Sequence, residues 1–448
     1  MKKVIKIANG QGFWGDSIQA PKDLINYGKI DYLTLDYLAE ITLSIMQKQK
    51  NKNDLHGYAR DFIELIEDTA ESIKKNNIKI ITNAGGVNPY QCSVALKKIL
   101  DSKNIDLNIG YIEGDDILEN LDELIENGAD LTNIDTGDSI KLIRDNICSA
   151  NVYIDSMEIK NVLDNNADIV LAGRVTDPGL TLGPLLHEFE WKNDEYDKLA
   201  SGTLAGHIIE CGAQCTGGNF SKWYEVDDLY NIGYPIAVVS ADGDFEITKP
   251  ENTGGLINLE TVSEQILYEM GNPTKYISPD VCVDFTSFKM KESNNSVNIS
   301  NVKGFKPTDT FKVSISYFAG YKSTGQLTVS GPNALEKAKK TSEIIWNRLS
   351  KAGFNYKDTN TEYLGYNSCH KSINSKYLGS NEVVLRLSVK DDDYDMVERF
   401  GKELSPVITS GPPGITGFSG GRPKPQEIIA YWPALIDKNF IKTKSKIL

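Results

Sequence analysis

The chain has little of what ties a protein to a membrane, a nucleic acid or a covalent scaffold. Its six cysteines are scattered over 448 residues, and the two closest, Cys211 and Cys215, lie four apart instead of forming a Cys-x-x-Cys pair. A disulfide framework and a zinc ribbon are therefore not indicated. No stretch approaches the roughly 18 consecutive apolar residues that span a bilayer, and Met1 to Ile7 is too short an apolar run for a secretory signal. Basic residues are in deficit, 48 Lys and Arg against 62 Asp and Glu, for a net charge of -14. Such a balance excludes a whole-chain nucleic-acid binder, because neutralising phosphates needs a basic footprint. The expectation is a cytoplasmic protein with neither nucleic acid nor membrane as partner. With 40% hydrophobic and 9% aromatic residues the chain has ample material for packed cores.

The length suits two domains. Up to about residue 175, β-branched runs alternate with longer amphipathic stretches, the mark of βα units around a mainly parallel sheet. Strands are expected at Val4 to Ala8, Ile78 to Thr82, Leu107 to Ile112, Asn151 to Ile154 and Ile169 to Ala172. Helices are expected over Asp36 to Lys48, Tyr58 to Lys75, Val87 to Leu100 and Ala200 to Gly212. The Asn- and Ser-rich segment Lys291 to Ser296 reads as a linker. Beyond it, strands at Phe311 to Phe318, Gln326 to Val329 and Glu382 to Val389 flank helices at Ala334 to Leu349 and Asp391 to Leu404. The expected architecture is an α/β domain over residues 1–292, doubly wound with flanking helices, followed by a ferredoxin-like α+β domain over 300–448.

Each early strand ends in turn residues, and in open α/β sheets ligands bind beyond the strands' carboxyl ends. Gly10-Gln11-Gly12-Phe13-Trp14-Gly15 spells a dinucleotide fingerprint, but Asp16 would set a carboxylate beside the phosphates and Phe13 and Trp14 are bulky for the turn. Asp16 is also a candidate ligand for a hydroxyl, a metal or an arginine. Asn83-Ala84-Gly85-Gly86 joins a strand to a helix, so Asn83, Gly85 and Gly86 are candidates to hold a carboxylate or phosphate; alternatively Asn88 simply caps the helix before Pro89. Asp115, beside Asp116, suits a hydrated cation or a hydroxyl-bearing ligand. Arg174, after the strand at Ile169, offers a rigid bidentate fork for an anion, with Asp177 orienting it or acting as a base; the alternative is a purely structural Arg174–Asp177 pair.

His207, Glu210 and Cys211 carry the richest chemistry. At i, i+3 and i+4 of a helix they share a face. An imidazole beside a carboxylate is a good general acid/base, Cys211 is a candidate nucleophile, and the three together are also a candidate part of a metal site. The alternative is a buried structural histidine. The glycine- and proline-rich run Ser410 to Pro423 is not a P-loop, although its Arg422 can reach an anion or a neighbouring subunit.

Gly12-Phe13-Trp14-Gly15-Asp16, the segment Asp31 to Glu40, Asn83-Ala84-Gly85-Gly86, the stretch Gly173 to Leu185 and Gly202-Thr203-Leu204-Ala205-Gly206-His207 together resemble the acyclic terpene utilisation (AtuA) family. The resemblance runs in order through the N-terminal 290 residues, and the remainder is similar to the family's ferredoxin-like C-terminal portion. It implies degradation of branched acyclic terpenoids as CoA thioesters, in pathways that need a carboxylase, a hydratase and a lyase. It supplies no established catalytic residue. Leu33-Thr34-Leu35-Asp36 departs from the more usual Thr-Gly-Asp form, which leaves an amino-acid or organic-acid pathway open and makes Asp36 a further substrate-binding candidate.

These readings converge on a catabolic enzyme acting on a small carboxylate or an acyl-CoA, by hydration, dehydration or carbon–carbon lyase chemistry. The rival readings are a CoA-binding or scaffold subunit that needs a partner chain, and a nucleotide-dependent oxidoreductase. A CoA thioester is expected as substrate instead of cofactor, and the metal, if any, is unknown. The expected assembly is a homo-oligomer, with or without a small partner subunit.

Overall fold

The computed structural model describes residues 4–369, 381–417 and 421–448. It divides into two compact units, Met1–Ser316 with Tyr431–Leu448, and Tyr317–Ala430.

In the first unit β1 (Val4–Gln11), β2 (Tyr32–Leu35), β3 (Lys79–Thr82), β4 (Ile109–Glu113), β5 (Ile147–Val152) and β6 (Ile169–Leu171) are interspersed with α1 (Gln19–Tyr27), α2 (Glu40–Lys52), α3 (Arg60–Asn76), α4 (Pro89–Ser102), α5 (Leu121–Glu126) and α6 (Met157–Asp164). Then follow α7 (Gly179–Phe189) and α8 (Tyr196–Ile209). Five strands form a parallel centre in the order β1, β2, β3, β6, β4. All four residues of β2 are buried, as expected of a strand covered on both faces.

Alternation along the strands sorts the two faces. Leu33, Leu35, Ile80, Ile109, Tyr111, Ile169 and Leu171 join one apolar cluster with Leu24 and Ile25 of α1, Phe62, Leu65, Ile66 and Ile73 of α3, and Leu96 and Leu100 of α4. Spacings of three and four residues along α3 put its apolar side chains on one stripe. Each large apolar side chain buried this way contributes about 1.5–3 kcal/mol. Tyr32 points to the other face, where its hydroxyl donates to Glu188 of α7 at 2.8 Å. There α6, α7 and α8 pack on one another.

Antiparallel strands flank the parallel centre, so the ten-stranded sheet is mixed where the sequence suggested a mainly parallel one. Next to β1 lie β7 (Ile236–Ser240) and β8 (Phe245–Thr248), joined by a tight turn in which Gly243 has φ +99°. After α9 (Leu259–Leu267), three short strands, β9 (Tyr276–Ile277), β10 (Cys282–Asp284) and β13 (Lys303–Phe305), make a small separate sheet. Between the last two, β11 (Lys289–Ser293) and β12 (Ser296–Ser300) extend the large sheet as a hairpin. The expected linker at Lys291 to Ser296 is therefore a hairpin instead. Asn294 and Asn295 form its turn, Asn295 at φ 58°, a conformation that asparagine tolerates. Connections this short can only join antiparallel strands.

β14 (Thr310–Ser330) is one long strand where two were expected, and it continues into the second unit. There α10 (Ala334–Lys351), β15 (Asp358–Leu364), β16 (Glu382–Asp391), α11 (Tyr394–Leu404) and the single turn α12 (Val407–Ser410) follow. β16 lies between β15 and β14, antiparallel to both. Val383, Leu385, Leu387 and Val389 alternate inward on β16 against Ile345 and Leu349 of α10 and Phe400 of α11. β17 (Gln426–Asp437) leads back to the first unit, where β18 (Lys444–Ile447) pairs antiparallel with β4. Among the described residues no helix is long and apolar enough to cross a membrane.

Candidate active site

The parallel centre brings several candidates to one rim, because strands running the same way end on the same side. Asp36 follows β2, Asn83 follows β3, Asp115 lies just past β4, and Arg174 follows β6. Side-chain hydrogen bonds tie these ends together. Asn83 donates to Asp36 Oδ1 at 2.6 Å and accepts the backbone N–H of Tyr37 at 2.7 Å. Asp115 Oδ2 accepts the backbone N–H of Arg174 at 2.7 Å and the amide of Asn151 at 3.0 Å. Asp115 is buried, and burial pushes its carboxyl up to about 7 against the hydrogen bonds from Arg174 and Asn151. Its neighbour Asp116 stays at the surface end, accepting from Leu118 N–H and facing Lys50 at 3.6 Å.

Arg174 sits at the centre of this network with only 2% of its surface exposed. Its Nη1 donates to the carbonyl of Leu38 at 2.8 Å and lies 2.7 Å from Asp177 Oδ1. Its guanidinium carbon is 4.0 Å from the centroid of the Tyr153 ring, and Tyr153 donates its hydroxyl to Glu40 at 2.9 Å. The fork that the sequence offered to an external anion is thus engaged by the chain's own Asp177 and Leu38. Burial opposes the charge on Arg174, but Asp177, Tyr153 and Asp36 more than offset it and hold the guanidinium protonated. Asp36 feels the converse: burial, then the charge of Asp177, push it well above the usual carboxylate range despite Arg174 and Asn83. A carboxyl that holds its proton thus neighbours a carboxylate paired with arginine.

α8 ends at Ile209, so Glu210 is its C-cap and Cys211 lies beyond it. The i, i+3 relation survives, with His207 Nδ1 3.2 Å from Glu210 Oε1. Cys211 does not share a helical face with them, and burial with the nearby Glu210 raises its thiol strongly, disfavouring a thiolate nucleophile. His207 is buried against Tyr276 and Phe285, at ring-centroid distances of 5.4 and 5.3 Å, and its Nε2 is 3.2 Å from the carbonyl of Ile266. A carbonyl only accepts, so Nε2 carries a proton and Nδ1 faces the carboxyl. Burial lowers the imidazole's pKa, but Glu210 outweighs it and the result is a raised value. Burial raises Glu210 in turn; His207 works against this, while Asp177 and Glu269 add to it. The two form a buried pair at 3.2 Å in which each side chain shifts the other's proton affinity.

Asp16, whose turn packs at Gly12 against Cys211, is already engaged. Its carboxylate accepts the N–H of Gly12 at 2.9 Å, the N–H of Ser17 at 2.7 Å and the hydroxyl of Tyr234 at 2.7 Å. It occupies the place where a dinucleotide's phosphate would meet the glycine turn, and α1 starts only at Gln19. In the second glycine loop the N–H groups of Gly86, Val87 and Asn88 are bonded to Asn83, Gly57 and Gly85. Asn88 is the N-cap residue of α4, ahead of Pro89, but its side chain makes no bond to the helix; its amide holds the carbonyls of Asp54 and His56 at 2.8 and 2.7 Å. Gly85 has no room for a side chain: a Cβ there would lie 2.6 Å from the carbonyl of Ala172. Arg422 is exposed and belongs to the second unit, and Phe418, Ser419 and Gly420 of its loop lie outside the described residues.

Tyr153 and Asn151 entered the site without a motif to announce them, and Glu40, though it closes the family segment Asp31 to Glu40, was not singled out within it. The nearest signal was their position at the ends of elements, since Tyr153 follows β5 and Glu40 opens α2. Among the described residues no group of three or more His, Cys, Asp or Glu is placed to hold a metal ion.

A mixed α/β unit with a buried acid–base cluster at the strand ends defines a broad class of protein. The pattern of the acyclic terpene utilisation family protein AtuA matches residues 5–447, nearly the whole chain, and the chain belongs to that family. Comparison with curated proteins and with solved structures found no match.

Proposed function

We propose that this chain is a cytoplasmic catabolic enzyme that moves protons on a small carboxylate or acyl-CoA, as a hydro-lyase or a carbon–carbon lyase. The observation that carries the reading is the presence of two acid–base pairs in one unit, Asp177 with Arg174 at 2.7 Å, Asp177 being 34% exposed, and His207 with Glu210 at 3.2 Å. Groups whose environments differ this way suit a base and an acid acting together. In dehydration, the Asp177 carboxylate takes the proton from the carbon next to the acid or thioester carbonyl. The proton held by Glu210 and His207 goes to the departing hydroxyl, which leaves as water. Asp36, protonated beside Asn83, is a donor for the substrate's carbonyl oxygen.

Asp16, seated in the glycine turn, disfavours nucleotide-dependent oxidoreduction. A second reading, a subunit completed by a partner chain or a second copy, draws on the near-complete burial of Arg174 and His207. Helices on both faces of the parallel centre support a doubly wound first unit. The antiparallel order of β15, β16 and β14 with α10 and α11 supports a ferredoxin-like second one.

The test is thermal stabilisation by acetyl-CoA, small hydroxy acids, di- and tricarboxylates, NAD and ATP, followed by turnover of whichever acid or thioester stabilises the protein. Glu210→Gln and Asp177→Asn should each lower turnover about 10²- to 10⁴-fold while the protein stays folded. Full activity in folded variants would reject these roles.

A further inference from the structure

The addition of β7 and β8 to the parallel centre leaves part of a sheet face uncovered. α8 packs on β7 and β8, while α1 packs mainly on β1 and β2 and joins the edge of its cluster to Ile236 of β7. Beyond α1 this leaves a cleft of about 700 Å3, with a floor that includes Ile236 and Val238. It lies by Lys6, near the start of β1, and so away from the strand ends that carry Asp36 and Arg174. Its volume is that of a small-molecule site.

Lys249 lines this cleft and is nine-tenths buried. Its Nζ donates to the carbonyl of Thr253 at 2.7 Å and reaches Thr253 Oγ1 only at 3.4 Å. An ammonium has three protons to place, and here burial lowers its pKa with no carboxylate among the described residues to offset it. The rest of the rim is balanced, Lys6 and Lys29 against Asp23 and Glu251, so the unmatched charge is positive. A buried cation lacking a counter-ion costs free energy that an incoming anion would relieve.

We infer that the cleft binds a small organic anion, its carboxylate or phosphate on Lys249 and its apolar body on Ile236 and Val238. The test uses anilinonaphthalene sulfonate, a fluorescent anion on an apolar body, with the full chain. The dye should bind one site per chain, and its neutral parent, anilinonaphthalene, should bind about tenfold more weakly or worse. Lys249→Met should cause a similar loss at an unchanged Tm, and Val238→Trp, which fills the floor, should do so without touching the charge. Octanoate and octyl phosphate then compete with the dye. Displacement by either supports the site and names the preferred head group. Equal binding of the neutral parent, undiminished dye binding in folded Lys249→Met, or displacement by neither competitor would overturn the inference.

Discussion

The carboxylate of Asp115 accepts the backbone N–H of Arg174 at 2.7 Å, which locks the end of β4 to the end of β6. Burial raises this carboxyl from 3.8 to about 7, so the folded chain binds a proton there that the unfolded chain has released. Stability from this group is therefore present below about pH 4 and is lost as pH rises towards 7, by up to about 4 kcal/mol. Asp115→Asn keeps an acceptor for both N–H groups without the charge. Its Tm relative to the parent should climb steadily between pH 5 and 8. A constant difference across that range would show that Asp115 does not titrate as described.

Gly173, between β6 and Arg174, has Asp115 where a side chain would go: a Cβ would lie 2.6 Å from the Asp115 carboxyl carbon. Gly173→Ala must push that carboxyl away and break its bond to Arg174. The expected cost is about 2–4 kcal/mol in urea unfolding, from overpacking together with an unsatisfied buried group. By contrast Gly128→Ala, where φ is +95° but nothing lies within 4 Å, should cost only backbone strain of about 1 kcal/mol. Equal losses in the two variants would mean that the rim has slack.

His207 and Glu210 make a prediction that needs no substrate. Glu210 raises the imidazole's pKa, so its charged form is stabilised in the folded chain. Stability from this group is full below the unfolded histidine's pKa and is lost as pH rises through the folded one. NMR titration of the four histidines should show one with a raised value, absent from His207→Gln spectra and moved down in Glu210→Gln. An unmoved value in Glu210→Gln would separate the two residues.

How far the sequence carried these assignments depended on range. β1, β3, β4 and β6 are β-branched runs bounded by turn residues, and both the pattern and the chemistry at their ends are local. β2 is as short as β3, but its Tyr32-Leu33-Thr34-Leu35 has a single β-branched residue, so composition did not mark it as a strand, although it carries Asp36 at its end. The antiparallel margins come from segments far away, above all β18 against β4, and no local pattern specifies such pairing. His207 and Glu210 could be paired from their spacing. The ring of Tyr276, the ring of Phe285 and the carbonyl of Ile266, which bury that histidine, come from chain more than fifty residues on. Arg174 was legible as an arginine at a strand end, but its engagement by Leu38 was not, because a backbone carbonyl leaves no mark in composition.

That engagement changes what Arg174→Lys should do. An arginine waiting for substrate would, on becoming lysine, lose binding and keep its fold. Here one planar group donates to Leu38, pairs with Asp177 and stacks 4.0 Å from the centre of the Tyr153 ring, three relations that a single ammonium cannot meet together. Arg174→Lys should therefore lower stability by about 1–3 kcal/mol, and Arg174→Met by about 3–5 kcal/mol, since it leaves the Leu38 carbonyl and Asp177 unpaired. The partial exposure of Asp177 lets water take over some of that loss, which favours the lower end. Adding Asp177→Asn to Arg174→Met should restore part of the stability, a coupling of about 0.5–3 kcal/mol in a double-mutant cycle read by urea unfolding. Strictly additive losses would mean that the two side chains act independently, and Asp177 would then need another partner to be a poised base.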